Sequence, residues 1–182
     1  MENILEVIGR IQKKYPECHV GGSIGLLLHG YNVGRDLSKS DIDLISPSTS
    51  MITSLYEKES SGSDFDYVLK YENIKIDLAI DKQSYEHLKF NGQFYKVSNI
   101  HNIIKYKVKY ANEGSEKHNK DLKTLIYKYP QLLTYIMSAG FIYKDGTGDG
   151  VFAQINKLNS RNTQESLSIL SQALGLGEYG IA

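Results

Sequence analysis

Two short runs, "SDIDLIS" (residues 40–46) and "IKIDLAI" (residues 74–80), set aspartates into otherwise apolar, alternating sequence. Alternation with a period of two marks a strand with one buried face, because successive side chains point to opposite faces. In the first run Ile42 and Leu44 turn toward a core, while Asp41 and Asp43 project together from the other side. In the second run Asp77 is a lone acid between Ile76 and Leu78. Carboxylates so close repel, and that cost is usually offset by a cation or a proton. An acid inside so apolar a strand calls for a partner of the same kind. Asp64 and Asp66 repeat the spacing beside a Ser/Gly loop and read as surface acids.

The elements around these strands follow from local pattern. Ile4, Val7, Ile8 and Ile11 recur at helical spacing, so residues 2–14 read as an amphipathic helix halted near Pro16. "CHV" (residues 18–20) reads as a short buried strand in which Cys18 acts as a small hydrophobe. Gly21, Gly22 and Ser23 open an apolar segment, and this entry favours a helix with the serine near its N-terminus. Residues 31–40 are a loop by their Gly, Asn, Asp and Ser content. A short helix is expected over 52–58, then a Ser/Gly loop, then two strands joined by a tight turn at Glu72-Asn73. After a loop, "QFYKV" (93–97) reads as another strand, and helices follow over 99–111, 116–128 and 131–143. A loop over 144–150, a last amphipathic helix over 163–174 and a glycine-rich end that frays complete the chain. The fold class is α+β: a mixed central sheet flanked by helices, with a helical C-terminal part. The boundaries are a core over 1–97 and a helical region over 98–182 packed on it, as two parts or one continuous domain.

Composition narrows the function classes. The 182 residues, 41% hydrophobic and 23% charged, suit a soluble chain with a real core. A formal net charge of zero argues against wholesale coating of nucleic acid. The charge is unevenly spread: residues 1–95 carry 10 basic and 14 acidic side chains, whereas 96–128 carry 8 Lys against 3 acids. That polarity suits a site holding a cation and an anion at once, and equally suits solvated helix faces. A single cysteine excludes an internal disulfide and a cysteine zinc cluster. No run approaches the ~18 apolar residues of a membrane span. The charged first segment is unlike a leader, so no membrane partner is expected and the cytoplasm is the expected compartment.

Oxygen ligands suit Mg²⁺, which takes one or two carboxylates plus substrate phosphates. Asp41, Asp43 and Asp77 supply the residue types of a two-metal clamp on neighbouring strands; the bland alternative is a solvated strand end. Glycines let a backbone approach a ligand closely, and Ser23 adds a hydroxyl, although Gly-Gly-Ser alone is an ordinary turn. On the helix over 99–111, at about 100° per residue, Ile100, Ile103, Ile104, Val108 and Ala111 form one stripe. Lys105 and Lys109 point away from it, and Lys107 falls in its middle, where an ammonium must snorkel or meet an anion. A triphosphate held between the acids and this helix would be such an anion. His118 lies on the apolar side of the next helix with Leu122, Leu125 and Ile126, the common place of a satisfied core histidine.

Together, "GGS", "SDIDLI" and "KIDLAI" resemble the nucleotidyltransferase signature of the DNA polymerase beta superfamily. That signature is a hydrophobic-Gly-Gly/Ser turn, an Asp-hydrophobic-Asp/Glu strand and a later single acid between hydrophobics. The likeness covers roughly residues 17–80. "HNKDL" (118–122) is similar to a basic-x-Lys-Asp-Leu element of small antibiotic- and toxin-type members, and no likeness extends past residue 128. The resemblance implies a nucleotidyltransferase fold and transfer of an NMP group from an NTP to a hydroxyl of a small molecule, protein or RNA, releasing pyrophosphate. It implies that Asp41 and Asp43 bind the Mg²⁺ (or Mn²⁺) that escorts the NTP. Asp77 would join the metal site and help activate the attacking hydroxyl. Gly21, Gly22 and Ser23 would hold phosphates, with Lys107 as counter-charge and Arg35, His118 and Lys120 as further candidates. The chain departs from the pattern in one place: 17 residues separate Ser23 from Asp41, more than the signature usually has. The excess falls in the loop over 31–40, where Arg35 either reaches phosphate or pairs with Asp36. The alternative is a catalytically weak chain of this fold, serving as a nucleotide-binding or protein-partner module.

Overall fold

The computed structural model describes residues 2–49, 56–59 and 67–141. The chain divides into two compact units, residues 1–103 and 104–182. In the first, helices α1 (Glu2–Lys14) and α2 (Gly22–Leu28) accompany strands β1 (His19–Val20), β2 (Ile42–Ser46), β3 (Tyr56–Glu59), β4 (Tyr67–Tyr71), β5 (Ile74–Ile80), β6 (Tyr85–Phe90) and β7 (Gln93–Ser98). These seven strands form one mixed sheet in the order β3-β4-β5-β2-β1-β7-β6. β2 runs parallel to β5 and β1 parallel to β7, while the other neighbours are antiparallel.

The alternation in β2 and β5 works as the sequence predicts. Ile42, Leu44, Ile76 and Leu78 are fully buried, as are Val20 and Val97 on the strands beyond. The stripe of α1 (Ile4, Val7, Ile8 and Ile11) is buried too. Gln12 ties that helix to β7, donating to Lys96 O at 2.8 Å and accepting from Lys96 N at 3.0 Å. The Cys18 thiol is buried, which pushes its pKa up to about 12, so it remains a protonated hydrophobe.

Two tight turns among the described residues shape the sheet. Glu72 and Asn73 (φ +48° and +64°) join β4 to β5, as expected, both left-handed in the manner of a two-residue type I′ turn. Asn91 and Gly92 (φ +46° and +83°) do the same between β6 and β7. β6 corrects an expectation of loop: its side chains are mostly exposed, so this edge strand lacks an apolar face and is held by pairing with β7. The helix expected over 52–58 is also corrected where it is described, because Tyr56–Glu59 pairs antiparallel with β4 as a strand. Pairing with the next strand overrides local propensity there. The rest of that expected helix, the Ser/Gly loop, Asp64 and Asp66 lie outside the described residues.

Helix α3 (Ile100–Asn112) begins in the first unit and continues into the second. There it is followed by α4 (Glu116–Lys128), a 3₁₀ turn (Pro130–Leu132) and α5 (Leu133–Ser138). Ser115 caps α4 by accepting from the His118 amide. Asn119 Nδ2 donates to Ala111 O and Ser115 O at 3.1 and 3.0 Å, binding the end of α3 to the start of α4. Val108, Leu122, Leu125, Ile126, Leu132 and Ile136 supply the apolar core of this unit. The helix expected over 131–143 is shorter, stopping before Gly140, whose φ is +76°. The loop over 144–150 and the helix over 163–174 lie outside the described residues. No helix among the described residues is long and apolar enough to cross a membrane.

Candidate active site

Strand register builds the acidic cluster. Asp43 lies beside Asp77 in the parallel β2–β5 pair, as Ile42 lies beside Ile76 and Leu44 beside Leu78. Asp41 stands one residue before β2 and shares the face of Asp43. Lys75 shares the face of Asp77, and its Nζ lies 3.1 Å from Asp41 Oδ2 and 3.4 Å from Asp77 Oδ1. Burial works to lower the Lys75 pKa, but the Asp41 hydrogen bond and the Asp77 charge outweigh it, holding the ammonium above its ordinary value. The Asp77 side chain is 15% exposed against 48% for Asp41, so Asp77 is the sequestered acid.

The glycine turn meets this cluster. Gly21 N donates to Asp43 O at 2.9 Å. Gly22 has φ +62°, and a Cβ built on it would stand 2.0 Å from Asp43 Oδ2. Glycine is therefore required at residue 22 twice over, for its backbone conformation and for the carboxylate beside it. Gly22→Ala should cost about 1–2 kcal/mol for the left-handed conformation alone, and it should also push the Asp43 carboxylate aside. Thermal unfolding reads the first effect and nucleotide titration the second. Gly21, expected among the phosphate ligands, uses its N–H to brace the turn on β2.

The long loop over 31–40 is built to return. Asn32 Oδ1 accepts from Gly34 N at 2.7 Å and Asp36 Oδ1 from Ser38 N at 2.9 Å, while Val33 and Leu37 are buried. The loop carries Arg35 to Ser23, whose Oγ accepts from Arg35 Nη2 at 2.8 Å. Ser23 stands in the first turn of α2, near the N-terminus as expected, while Gly21 is the N-cap and has no side-chain hydrogen bond. Arg35 thus contacts the glycine-serine turn, and the Asp36 carboxylate accepts from Ser38 N within its own loop.

Further along the same face stands His19, paired in register with Ile45, two residues on from Asp43. It is 1% exposed, stacks on Tyr85 at 5.2 Å, and among the described residues neither ring nitrogen has a hydrogen-bond partner. Burial lowers its pKa to about 4, against the opposing charge of Asp81. The unfolded chain, with a histidine pKa near 6.5, takes up the proton first as the pH falls. The stabilisation is therefore complete above pH ~6.5 and is lost as the pH falls toward ~4, by up to about 3 kcal/mol. Denaturant unfolding across that range should show the slope, and His19→Leu should flatten it.

Lys107, His118 and Lys120 belong to the second unit. The Lys107 ammonium is 3% exposed and donates to Asp121 Oδ2 at 2.7 Å. A carboxylate of its own chain thus meets the demand for an anion at this stripe position. His118 Nδ1 lies 2.7 Å from Ser115 Oγ with its ring beside Tyr110, and Lys120 is exposed. Two participants were overlooked in the sequence. Lys75 was visible by alternation, two residues before Asp77. Asp121 was visible only as the acid within "HNKDL".

A hard divalent cation fits the chemistry of these donors, three carboxylates projecting from neighbouring strands, with a side-chain-free Gly22 beside one of them. In this conformation no group of three or more His, Cys, Asp or Glu among the described residues is spaced to hold a metal. Lys75 takes two of the carboxylates instead.

No family model matches the sequence, and no curated protein is significantly similar to it. Solved structures are informative. The crystal structure of the antibiotic nucleotidyltransferase ANT(2'')-Ia in complex with adenylyl-2''-tobramycin aligns with 75% of this chain and 95% of that one, at a TM-score of 0.53 and 14% identity. The fold is nucleotidyltransferase-like. The solution structure of the same antibiotic-resistance factor aligns with 68% of this chain and 81% of that one, at a TM-score of 0.51 and 14% identity. At that identity the likeness is one of nucleotidyltransferase-like architecture, and function has to be argued from the site.

Proposed function

We propose that this chain is a nucleotidyltransferase that moves an NMP group from an NTP to a hydroxyl of a small molecule, releasing pyrophosphate. The observation that carries the reading is the meeting of Gly22 with Asp43, a Cβ's width apart, on a strand whose register sets Asp43 beside Asp77. A bared turn and paired carboxylates in one place suit a polyphosphate and its cation. The small-molecule acceptor is supported by the complex of the structural neighbour with adenylyl-2''-tobramycin.

Asp41, Asp43 and Asp77 would hold Mg²⁺ or Mn²⁺, which would supply Lewis-acid neutralisation of the phosphates. The turn at Gly22 and Ser23 would receive the outer phosphates, with the Ser23 hydroxyl and Arg35 guanidinium as donors. The acceptor oxygen bonds to the α-phosphorus as the bond to the leaving pyrophosphate breaks, and Asp77 takes the hydroxyl proton. Positioning and electrostatic stabilisation carry most of such a reaction. Calorimetric titration with Mg²⁺ and each NTP, coupled to a pyrophosphate assay with hydroxylated acceptors, tests the reading. Nucleotide binding with no pyrophosphate release from any acceptor would favour the nucleotide-binding module instead.

A further inference from the structure

The acidic cluster already contains a cation, and it is part of the chain. Parallel register brings Asp43 and Asp77 side by side, and one alternation earlier it brings Lys75 to Asp41. The Lys75 ammonium reaches an acid on its own strand and another beside β2, at 3.4 and 3.1 Å. We propose that Lys75 is an internal counter-ion that stands in for the divalent cation between Asp41 and Asp77, so that the entering cation must displace it and Lys75 sets the affinity of the site. This inference rests on the reading of Asp41, Asp43 and Asp77 as metal ligands.

Three observations support it. The contacts span two acids, Asp41 just before β2 and Asp77 within β5, that lie on the same face of neighbouring strands. Lys75 and Asp41 are each about half exposed (50% and 48%), and ion pairs so exposed are weak, so a doubly charged ion can replace this one. Without an ammonium at residue 75, three carboxylates would share the face with no cation so close to Asp41, a like-charge arrangement that disfavours the metal-free chain. Lys75 thus makes the empty state tolerable and lowers cation affinity at once. Displaced, it remains tethered beside the site, free to meet the negative charge that arrives with a polyphosphate.

Mn²⁺ binding to the full chain, followed by the loss of the free-ion paramagnetic resonance signal, tests the displacement without recourse to activity. Lys75→Met and Lys75→Gln should each bind Mn²⁺ about tenfold more tightly than wild type, the scale of one charge contact removed near a protein surface. Both should also show a larger rise in melting temperature on adding Mn²⁺. Lys75→Gln keeps a polar side chain at this half-exposed site, so the test survives should the methionine variant fold poorly. Equal or weaker Mn²⁺ binding in the two variants would overturn the counter-ion role while leaving the metal site intact. No Mn²⁺ binding by wild type or variants would overturn both this inference and the metal reading beneath it.

Discussion

Asp43→Asn should lower nucleotidyl transfer by at least about a hundredfold, the scale on which one preorganised electrostatic group acts in an active site. The substitution keeps the shape of the side chain beside Gly22 and removes its charge. Asp43 is central: its backbone carbonyl receives Gly21 N, its carboxylate faces Gly22, and its register partner is Asp77. The melting temperature should stay close to wild type, because loss of one acid relieves repulsion on that face. A pyrophosphate assay beside a thermal melt separates the two effects. Transfer at the wild-type rate by a folded Asp43→Asn would remove Asp43 from the chemistry.

Lys107→Met should destabilise the chain by about 3–5 kcal/mol, the usual cost of breaking a buried ion pair from one side. Lys107 and Asp121 are 3% and 2% exposed, and the ammonium lies 2.7 Å from the carboxylate, so its removal leaves a buried charge without this counter-ion. A second substitution, Asp121→Leu, should recover most of the loss, because an apolar pair of similar volume often matches a buried ion pair. Denaturant unfolding of both single variants and the double variant closes the cycle. A double variant no more stable than Lys107→Met would contradict the pairing as the source of the cost.

These two expectations mark what was legible in the sequence. The acids of β2 and β5 could be read because alternation is local, and residues two apart share a face whatever the rest of the chain does. The boundaries of α1 and α4 followed from periodicity, and the β4–β5 turn from its Glu-Asn pair between two strand patterns. β6 escaped because an exposed edge strand has no apolar face to advertise it, although Asn91-Gly92 is a strong local hairpin signal. Tyr56–Glu59 escaped because its strand state comes from pairing with β4. The helical wheel showed that Lys107 needed an anion but could not name it, since Asp121 lies on another helix. The glycine turn and the aspartates could be listed but not joined. Their meeting depends on the antiparallel pairing of β1 with β2, which brings Gly22 to Asp43, and on the parallel register of β2 and β5, both non-local facts. The loop over 31–40 looked like surplus length; its two side-chain turns and buried Val33 and Leu37 show how it brings Arg35 back to Ser23.

The most direct test is label transfer from α-phosphate-labelled NTPs, with Mg²⁺ and a panel of hydroxylated small molecules including aminoglycosides. Wild type should produce a labelled acceptor and pyrophosphate in equal amounts, and Asp77→Asn, lacking the carboxylate proposed to take the proton, should not. Absence of labelled product with every nucleotide and acceptor, or labelling that persists undiminished in Asp77→Asn, would contradict the account.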